Sequence, residues 1–350
     1  MKNKVTIQDI ADALGVSRNT VSKAINNSDG LADATREKIL QKAFEMGYKQ
    51  FSYVNTLTRS AAELPGTLRF AGEIALLTTK FLNSSHFSSV MLDKFQREIS
   101  QMGFTLNTHR VTERNLADKT LPSTFLVERC SAIICIEMFD REYDEMVCGL
   151  DVPVLFVDGP PKHEGNSLPA DQLYMENIAP VTGFVRHMLE KGQRRIGFVG
   201  NYNLCQSFYE RYLAFRLVMT LENAEVRDGD IFSTNSAEEL NELFRARTSD
   251  DLPQVLICAN DFVALDVMRI LNAKGLRVPD DIKLFGFDDS AESRIVEPNL
   301  STVHIHTQIM AFSAMHLLVS RMKEPSLDYR YVYTETELVY RDSTKLEEAL

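Results

Sequence analysis

Residues 5–48 read VTIQDIADALGVSRNTVSKAINNSDGLADATREKILQKAFEMGY, and the spacing within this stretch decides the architecture of the N-terminal unit. Ile7, Ile10, Ala11 and Leu14 recur at i, i+3, i+4 and i+7, which places them on one face of a helix. Thr6 precedes the run with Asp9 three places on, an N-cap and an approximate capping box. Gly15 follows Leu14 where a helix end needs a residue tolerant of positive φ, and Ser17 is placed to cap a second helix running to about Ile25. Asp33 is placed to cap a third, whose Ile39, Leu40, Ala43 and Phe44 supply a face that closes over the first two. The expectation is three short helices around one small core, with a tight turn between the first two.

Any three-helix bundle satisfies those patterns, so the outward face of the second helix carries the functional reading. With Val16, Val21 and Ala24/Ile25 pointing inward, Arg18, Asn19, Ser22, Lys23 and Asn26 point out. A recognition helix presents its N-terminal residues to base edges, and the forked donors and acceptors of Arg and Asn match guanine and adenine in the major groove. Thr6, Thr20 and Asn26 suit phosphate oxygens. A solvated polar face is the competing reading.

Composition bears on the same question. The net charge of −11 opposes binding to phosphate, but it is unevenly spread. Residues 1–60 carry nine Lys/Arg against six Asp/Glu, whereas residues 61–350 carry 29 against 43, so only the N-terminal part has the sign that nucleic acid requires. No run approaches the roughly 18 consecutive apolar residues of a membrane span, and the chain is expected in the cytoplasm, associated with the nucleoid and not with a membrane. Cys130, Cys135, Cys148, Cys205 and Cys258 lack CxxC spacing and are read as reduced thiols. No metal site or cofactor is expected.

The segment resembles the DNA-binding headpiece of the lactose/galactose (LacI/GalR) repressor family, through TIQDIA (6–11), GVS-x-x-TVS (15–22) and TREKI (35–39). That resemblance implies a helix-turn-helix over residues 7–26, with Arg18, Asn19 and Lys23 at the main base-reading positions. It also implies that residues 51–66 form a hinge which becomes helical when two subunits pair on DNA, with Leu57 as the minor-groove wedge. An apolar wedge works because extra contacts on bent DNA offset the cost of unstacking. The hinge departs from the family pattern: Gln50 stands where proline is usual, and Val54-Asn55-Thr56-Leu57 replaces an Ala-Arg-Ser-Leu run.

Beyond Pro65-Gly66, apolar runs alternate with helical stretches. Candidate strands are Glu73–Thr78, Phe104–Asn107, Ala132–Ile136, Val154–Asp158, Arg195–Gly200, Val255–Ala259 and Ile282–Phe287; Val90–Met102, Val181–Lys191, Tyr209–Leu221 and Phe262–Lys274 have helical period. Alternating β and α means parallel sheets covered on both faces. About 280 residues of it fits two lobes better than one sheet, with ligand between them, outside the carboxyl ends of the strands. The fold class is therefore an N-terminal three-helix helix-turn-helix domain (1–50), a linker (51–66) and an α/β bilobal sensor (67–350) like the periplasmic binding proteins.

Polar groups fall in the loops at those strand ends: Asn260-Asp261 after VLICA, Asp288-Asp289 after IKLFGF, and Arg211 on a helix after RRIGFVG. A carboxylate and a planar guanidinium together suit vicinal diols. Each has an ordinary alternative: Asn-Asp as a helix cap, Asp288 as a turn residue, Arg211 as a surface charge. The family resemblance continues through EKGQRRIGFVG (190–200), ERYLAF (210–215) and CANDFVALDVMRILNAKGLRVPDDIKLFGFDDS (258–290). It implies effector contacts at Arg211 and Asp288, then Asn260 and Asp261, with Ser207 and the first-lobe His86 and Phe87. STNSAEE (233–239) stands where relatives carry a stacking aromatic, the chain has no tryptophan, and Met175-Glu176-Asn177 replaces the usual Asp-Asn. Phe81, Phe87 and Phe208 are candidates for the missing apolar platform.

The expected activity is repression from a pseudo-palindromic operator by a homodimer that responds to a small, sugar-like effector. The tail KLEEAL is read as too short for a tetramerising coiled coil. A transport protein of the same bilobal shape would need an export signal and has no use for residues 1–50. An enzyme is disfavoured by the lack of GxGxxG after a strand, GxxxxGK[ST], HExxH or GxSxG.

Overall fold

A computed structural model describes residues 5–25, 31–46, 72–79, 86–164 and 167–345. In the N-terminal unit, α1 (Ile7–Leu14), α2 (Arg18–Ile25) and α3 (Asp33–Glu45) follow the hydrophobic spacing closely. The capping box forms: the Asp9 amide donates to Thr6 Oγ1 at 3.3 Å, and the Thr6 amide donates to Asp9 Oδ2 at 2.7 Å. Gly15 adopts φ +65° and ends α1, so the chain reverses without a side-chain penalty. Ile10, Ala11, Val21, Ala24, Ile25, Ile39 and Ala43 are buried together. Asp33 is the first residue of α3 rather than its cap, a shift of one position at a frayed boundary.

The sensor is two parallel sheets. The first lobe has the six-stranded order β11-β5-β4-β3-β1-β2, where β1 is Gly72–Thr78, β2 Phe104–Arg110, β3 Cys130–Ile136, β4 Val154–Val157, β5 Asp171–Met175 and β11 Tyr331–Thr334. The second has β7-β6-β8-β9, from Ile231–Phe232, Ile196–Val199, Val255–Cys258 and Lys283–Phe285. An antiparallel ribbon of β10 (Thr302–Ile305) and β12 (Thr336–Val339) completes it. Residues buried on both faces, such as VLFV and VLIC, leave no alternation to read, as expected of parallel strands sandwiched between helices.

The chain crosses between lobes three times: after β5, before the helix Thr307–Lys323, and between β11 and β12. β9 stops at Phe285, shorter than its apolar run, because the Gly286 and Asp288 amides turn aside to the carbonyls of Ser301 and Val303. β11 is held to β5 by Asp171, 1 % exposed, whose carboxylate accepts from Arg321 Nη2 and Arg330 Nη2, each at 2.9 Å. Such a buried network fixes β11 in the first lobe although the sequence next to it, β12, belongs to the second.

The five cysteines are free thiols, with Cys135, Cys205 and Cys258 buried. Among the described residues no helix is long and apolar enough to cross a membrane, and no three His, Cys, Asp or Glu side chains are grouped to hold a metal ion.

Candidate functional site

Two sites emerge. On α2, Arg18 and Asn19 are exposed in the first turn, with Ser22 and Lys23 half-buried on the same helix. Ser17 is occupied by the fold: its Oγ accepts the Thr20 amide at 3.0 Å and lies 2.7 Å from Thr20 Oγ1. The cap sets the start of α2 and thereby aims Arg18 and Asn19 away from the core. Arg36 on α3 donates to the Lys23 carbonyl at 3.2 Å, pinning the end of α2 to the bundle. Thr6 is exposed beside its capping partner Asp9. Asn26 and Leu57 lie outside the described residues.

The second site lies where strand ends of the two lobes meet. Glu137 directly follows β3, Asp158 directly follows β4, and Asp288 and Asp289 lie beyond β9; all four have positive φ, at 56°, 60°, 118° and 52°. Non-glycine residues held in this region cost about 1–3 kcal/mol each and cluster at functional sites. Asp288 is the most strained of them and the one the sequence reading singles out.

Arg211 faces it from α8 (Gln206–Leu221), eight being the helix's place in the order that runs through α4 (His86–Gln101), α5 (Glu113–Asp118), α6 (Arg141–Cys148) and α7 (Ile178–Glu190). Arg211 is 2 % exposed; its Cζ lies over the Phe287 ring, 3.5 Å from the centroid, and its Nη1 is 4.0 Å from Asp288 Oδ1. Its Nε donates to Asn177 Oδ1 at 2.9 Å and Nη1 to the Ala259 carbonyl at 2.6 Å. The ring beneath the arginine is thus Phe287, with Phe208 farther off, at 5.5 Å; Phe81 and the Phe87 side chain, the other candidates for an apolar platform, lie outside the described residues.

Burial pushes the Asp288 carboxyl up to about 8, with Asp261, Glu137 and Asp158 adding to the shift and Arg211 opposing it. Burial likewise raises Asp158. Asp158 nonetheless reaches across the lobes: its Oδ1 accepts the Ser207 amide at 3.2 Å, and the Gln206 amide donates to the Gly159 carbonyl at 2.8 Å. These are orphan donors of the first turn of α8, and a carboxylate at a helix N-terminus also meets the positive end of its dipole.

Other expected contacts are differently employed. The Ser207 hydroxyl donates to Met175 Sδ at 3.1 Å within the core. Asn260 Oδ1 caps α10 (Asp261–Ala273, after α9 at Ala237–Arg245) by accepting the Val263 amide at 3.0 Å. Asp261 is fully buried, accepting from Thr302 Oγ1 at 2.6 Å and the Ser290 amide at 2.8 Å, and its carboxyl is pushed up to about 6 by burial. Both side chains thus serve the fold around β8 and β10. His86 and Phe87 begin α4, but their side chains are outside the described residues. Sequence reading missed Glu137, Asp158, Asn177 and Glu210. An acidic residue immediately after an apolar strand was the available signal for the first two.

Gly200, at the end of β6, has φ +138°, and a Cβ there would fall 2.3 Å from Ala259 Cβ. Only glycine lets those two strand ends approach so closely, which in turn presents the Ala259 carbonyl to Arg211.

Residues 6–50 match the bacterial regulatory proteins of the lacI family, and residues 185–344 match the periplasmic binding protein-like domain. Among curated relatives, an HTH-type transcriptional repressor PurR of Photobacterium profundum is 26 % identical, covering 97 % of this chain and 98 % of its own. An HTH-type transcriptional regulator GalR of Lacticaseibacillus casei is 27 % identical, covering 97 % and 99 %. A lac repressor dimer solved with operator and the anti-inducer ONPF superposes with a TM-score of 0.66 at 22 % identity over 98 % of this chain and 99 % of that one. A complex of the regulator CelR with cellobiose gives the same score and identity over 97 % and 100 %. With headpiece, bilobal sensor and full-length relatives in agreement, the chain belongs to the LacI/GalR family of DNA-binding transcriptional repressors.

Proposed function

We propose that this repressor binds a pseudo-palindromic operator as a homodimer, residues 1–50 reading DNA and residues 67–350 sensing a small hydroxyl-rich molecule between the lobes, with 51–66 as the hinge. The observation that carries the DNA half is the exposure of Arg18 and Asn19 on the first turn of α2, where a helix in the major groove meets base edges. One headpiece covers a half-site, so two-fold symmetry in the protein calls for two-fold symmetry in the DNA. Lys23 and Ser22 lie along the same helix, and Thr6, Ser17, Thr20, Asn26 and Leu57 are assigned to backbone and minor-groove contacts. The chain acts in the cytoplasm, where its operator is.

For the sensor, the supporting observation is the convergence of Arg211, Asp288 and Asp158 from three elements and both lobes. A carboxyl raised to about 8, as at Asp288, both donates and accepts near neutral pH, and the guanidinium donates in a plane, a combination that fits the hydroxyls of a sugar. Asn260, Asp261, Ser207, His86 and Phe87 are secondary candidates. An effector preferring one arrangement of the lobes biases the spacing of two headpieces, by no more than its differential affinity.

A thermal-shift screen tests this. A panel of sugars, sugar phosphates and nucleobases is applied to the full chain. A native-state ligand at about 100 times its Kd adds roughly 2.7 kcal/mol of stability. At least one hydroxyl-rich compound should raise the Tm of the wild type and leave Asp288→Ala unmoved. A hit that shifts both proteins equally removes Asp288 from the site, and a response confined to nucleobases rejects the sugar class.

A further inference from the structure

Arg211 does not stand alone where the lobes meet. Asn177, which orients its Nε, donates from Nδ2 to Glu210 Oε2 at 2.8 Å. The other carboxylate oxygen, Glu210 Oε1, accepts from Gln206 Nε2 at 2.9 Å and from the Tyr333 hydroxyl at 2.8 Å. Gln206 in turn accepts the Lys162 amide on its Oε1 at 2.7 Å. Lys162 closes the ring from the first lobe: its Nζ lies 3.3 Å from Tyr333 Oη and over the rings of Tyr331 and Tyr174, at 4.2 and 4.5 Å.

The placement of these residues gives the network its meaning. Glu210 belongs to α8 of the second lobe; Asn177 sits in the first crossover, just after β5; Tyr333 sits on β11, one residue before the third crossover begins at Thr334–Thr336. One buried carboxylate therefore takes three donors from three chain segments, two of them segments about which the lobes must pivot. A buried carboxylate so satisfied is costly to rearrange, because breaking the Asn177 or the Gln206 bond leaves a polar group unpaired in a low-dielectric setting, while Tyr333, 42 % exposed, adds a bond nearer the surface. No apolar residue at 210 can do this.

We propose that Glu210 is a positioning residue that latches the two lobes together and ties the orientation of Arg211 to the closed arrangement. The regulatory consequence rests on the function proposed above; the latch itself does not. A ligand that draws on Arg211 pulls on Asn177, and through it on the carboxylate that holds β11 and α8 together. The signal then has a two-state element to bias, the latched and unlatched lobes, rather than a graded distortion.

The latch is read without any ligand, by amide hydrogen exchange on the full-length chain. The amides of Lys162, Gln206 and Ser207 each donate across the lobes, to Gln206 Oε1, Gly159 O and Asp158 Oδ1. They exchange when the lobes part, whereas Ile134 and Ile257, inside the two sheets, report global opening. Glu210→Gln keeps the volume but turns one acceptor into a donor facing donors. It should speed exchange at the three latch amides about tenfold or more with the sheet amides unchanged. It should also shift the affinity of the ligand-free chain for an operator selected by the wild type. Tyr333→Phe, which removes one donor and keeps the ring, should raise the same three amides by less, and it decides the matter if Glu210→Gln does not fold. Wild-type exchange at the three amides in both variants overturns the proposal, as does acceleration of sheet and latch amides by equal factors. A wild type without operator preference refutes the regulatory role while leaving the exchange result intact.

Discussion

Arg18→Ala should weaken binding to the best operator by on the order of a hundredfold or more, while binding to random DNA falls only slightly. The magnitude follows from the geometry of readout. A bidentate arginine–guanine contact is worth about 1–3 kcal/mol of discrimination, and a symmetric dimer makes it twice. Ser17 fixes the first turn of α2 through the Thr20 amide, so the loss of Arg18 should leave the helix in place. Asn19→Ala should act in the same way at a different operator position. Base preferences obtained by selection from a random pool check both variants. A uniform loss across all sequences, with the selected consensus unchanged, means that these side chains touch phosphate alone.

The second large effect concerns stability. Asp144 on α6 is wholly buried, and neither carboxylate oxygen has a hydrogen-bond partner among the described residues. Burial pushes its carboxyl up to about 8, Asp140 adds to the shift and Arg141 opposes it. The folded state therefore holds this proton more tightly than the unfolded chain, where the group titrates near 3.8. The stability the protonated acid contributes is fully present below that value and is lost as pH rises toward 8. Each pKa unit is worth about 1.4 kcal/mol, so at pH 8 the penalty is on the order of several kcal/mol. Asp144→Asn, uncharged at every pH, should be the more stable protein at pH 8 and nearly equal to wild type at pH 4. Denaturant midpoints across that range are the measurement. Parallel curves for the two proteins would show that Asp144 ionises in the fold without cost.

How much of this was readable in advance depended on how local each feature is. The headpiece was legible almost residue by residue, because capping boxes, a left-handed glycine and i, i+4 spacing act within a few positions; the Thr6–Asp9 box and Gly15 are where the spacing placed them. β1 to β4, β6, β8 and β9 were legible as apolar runs, whereas β5, which reads DQLYM, and the two-residue β7 were not. β10, β11 and β12 were not either, because they are short, mixed in polarity, and placed by partners far along the chain. Asp171, for example, anchors Arg321 150 positions away and Arg330 159 positions away. Phe287 looked like the end of a strand, and only the turn of the chain at Gly286 puts its ring under Arg211.

The candidate effector site divides along the same line. Arg211 and Asp288 were recognisable from their flanking motifs, and the structure brings them to 4.0 Å of each other. Asp158 was absorbed into the preceding apolar run, although its φ of 60° turns it out of the strand. Asn260 and Asp261 share the motif with Asp288, yet their side chains are engaged by Val263, Thr302 and Ser290. Glu210 and Tyr333 lie 123 positions apart, and no local pattern joins them.

The most direct test of the account is a competition experiment with the purified full-length chain at moderate ionic strength, with and without the sugar panel. Labelled duplex enriched from a random pool is challenged with unlabelled random DNA. Salt-dependent contacts to phosphate contribute to both, so only base readout separates them. The account predicts a preference of at least about a thousandfold for a two-fold symmetric sequence. Equal competition by random DNA under every condition would contradict it.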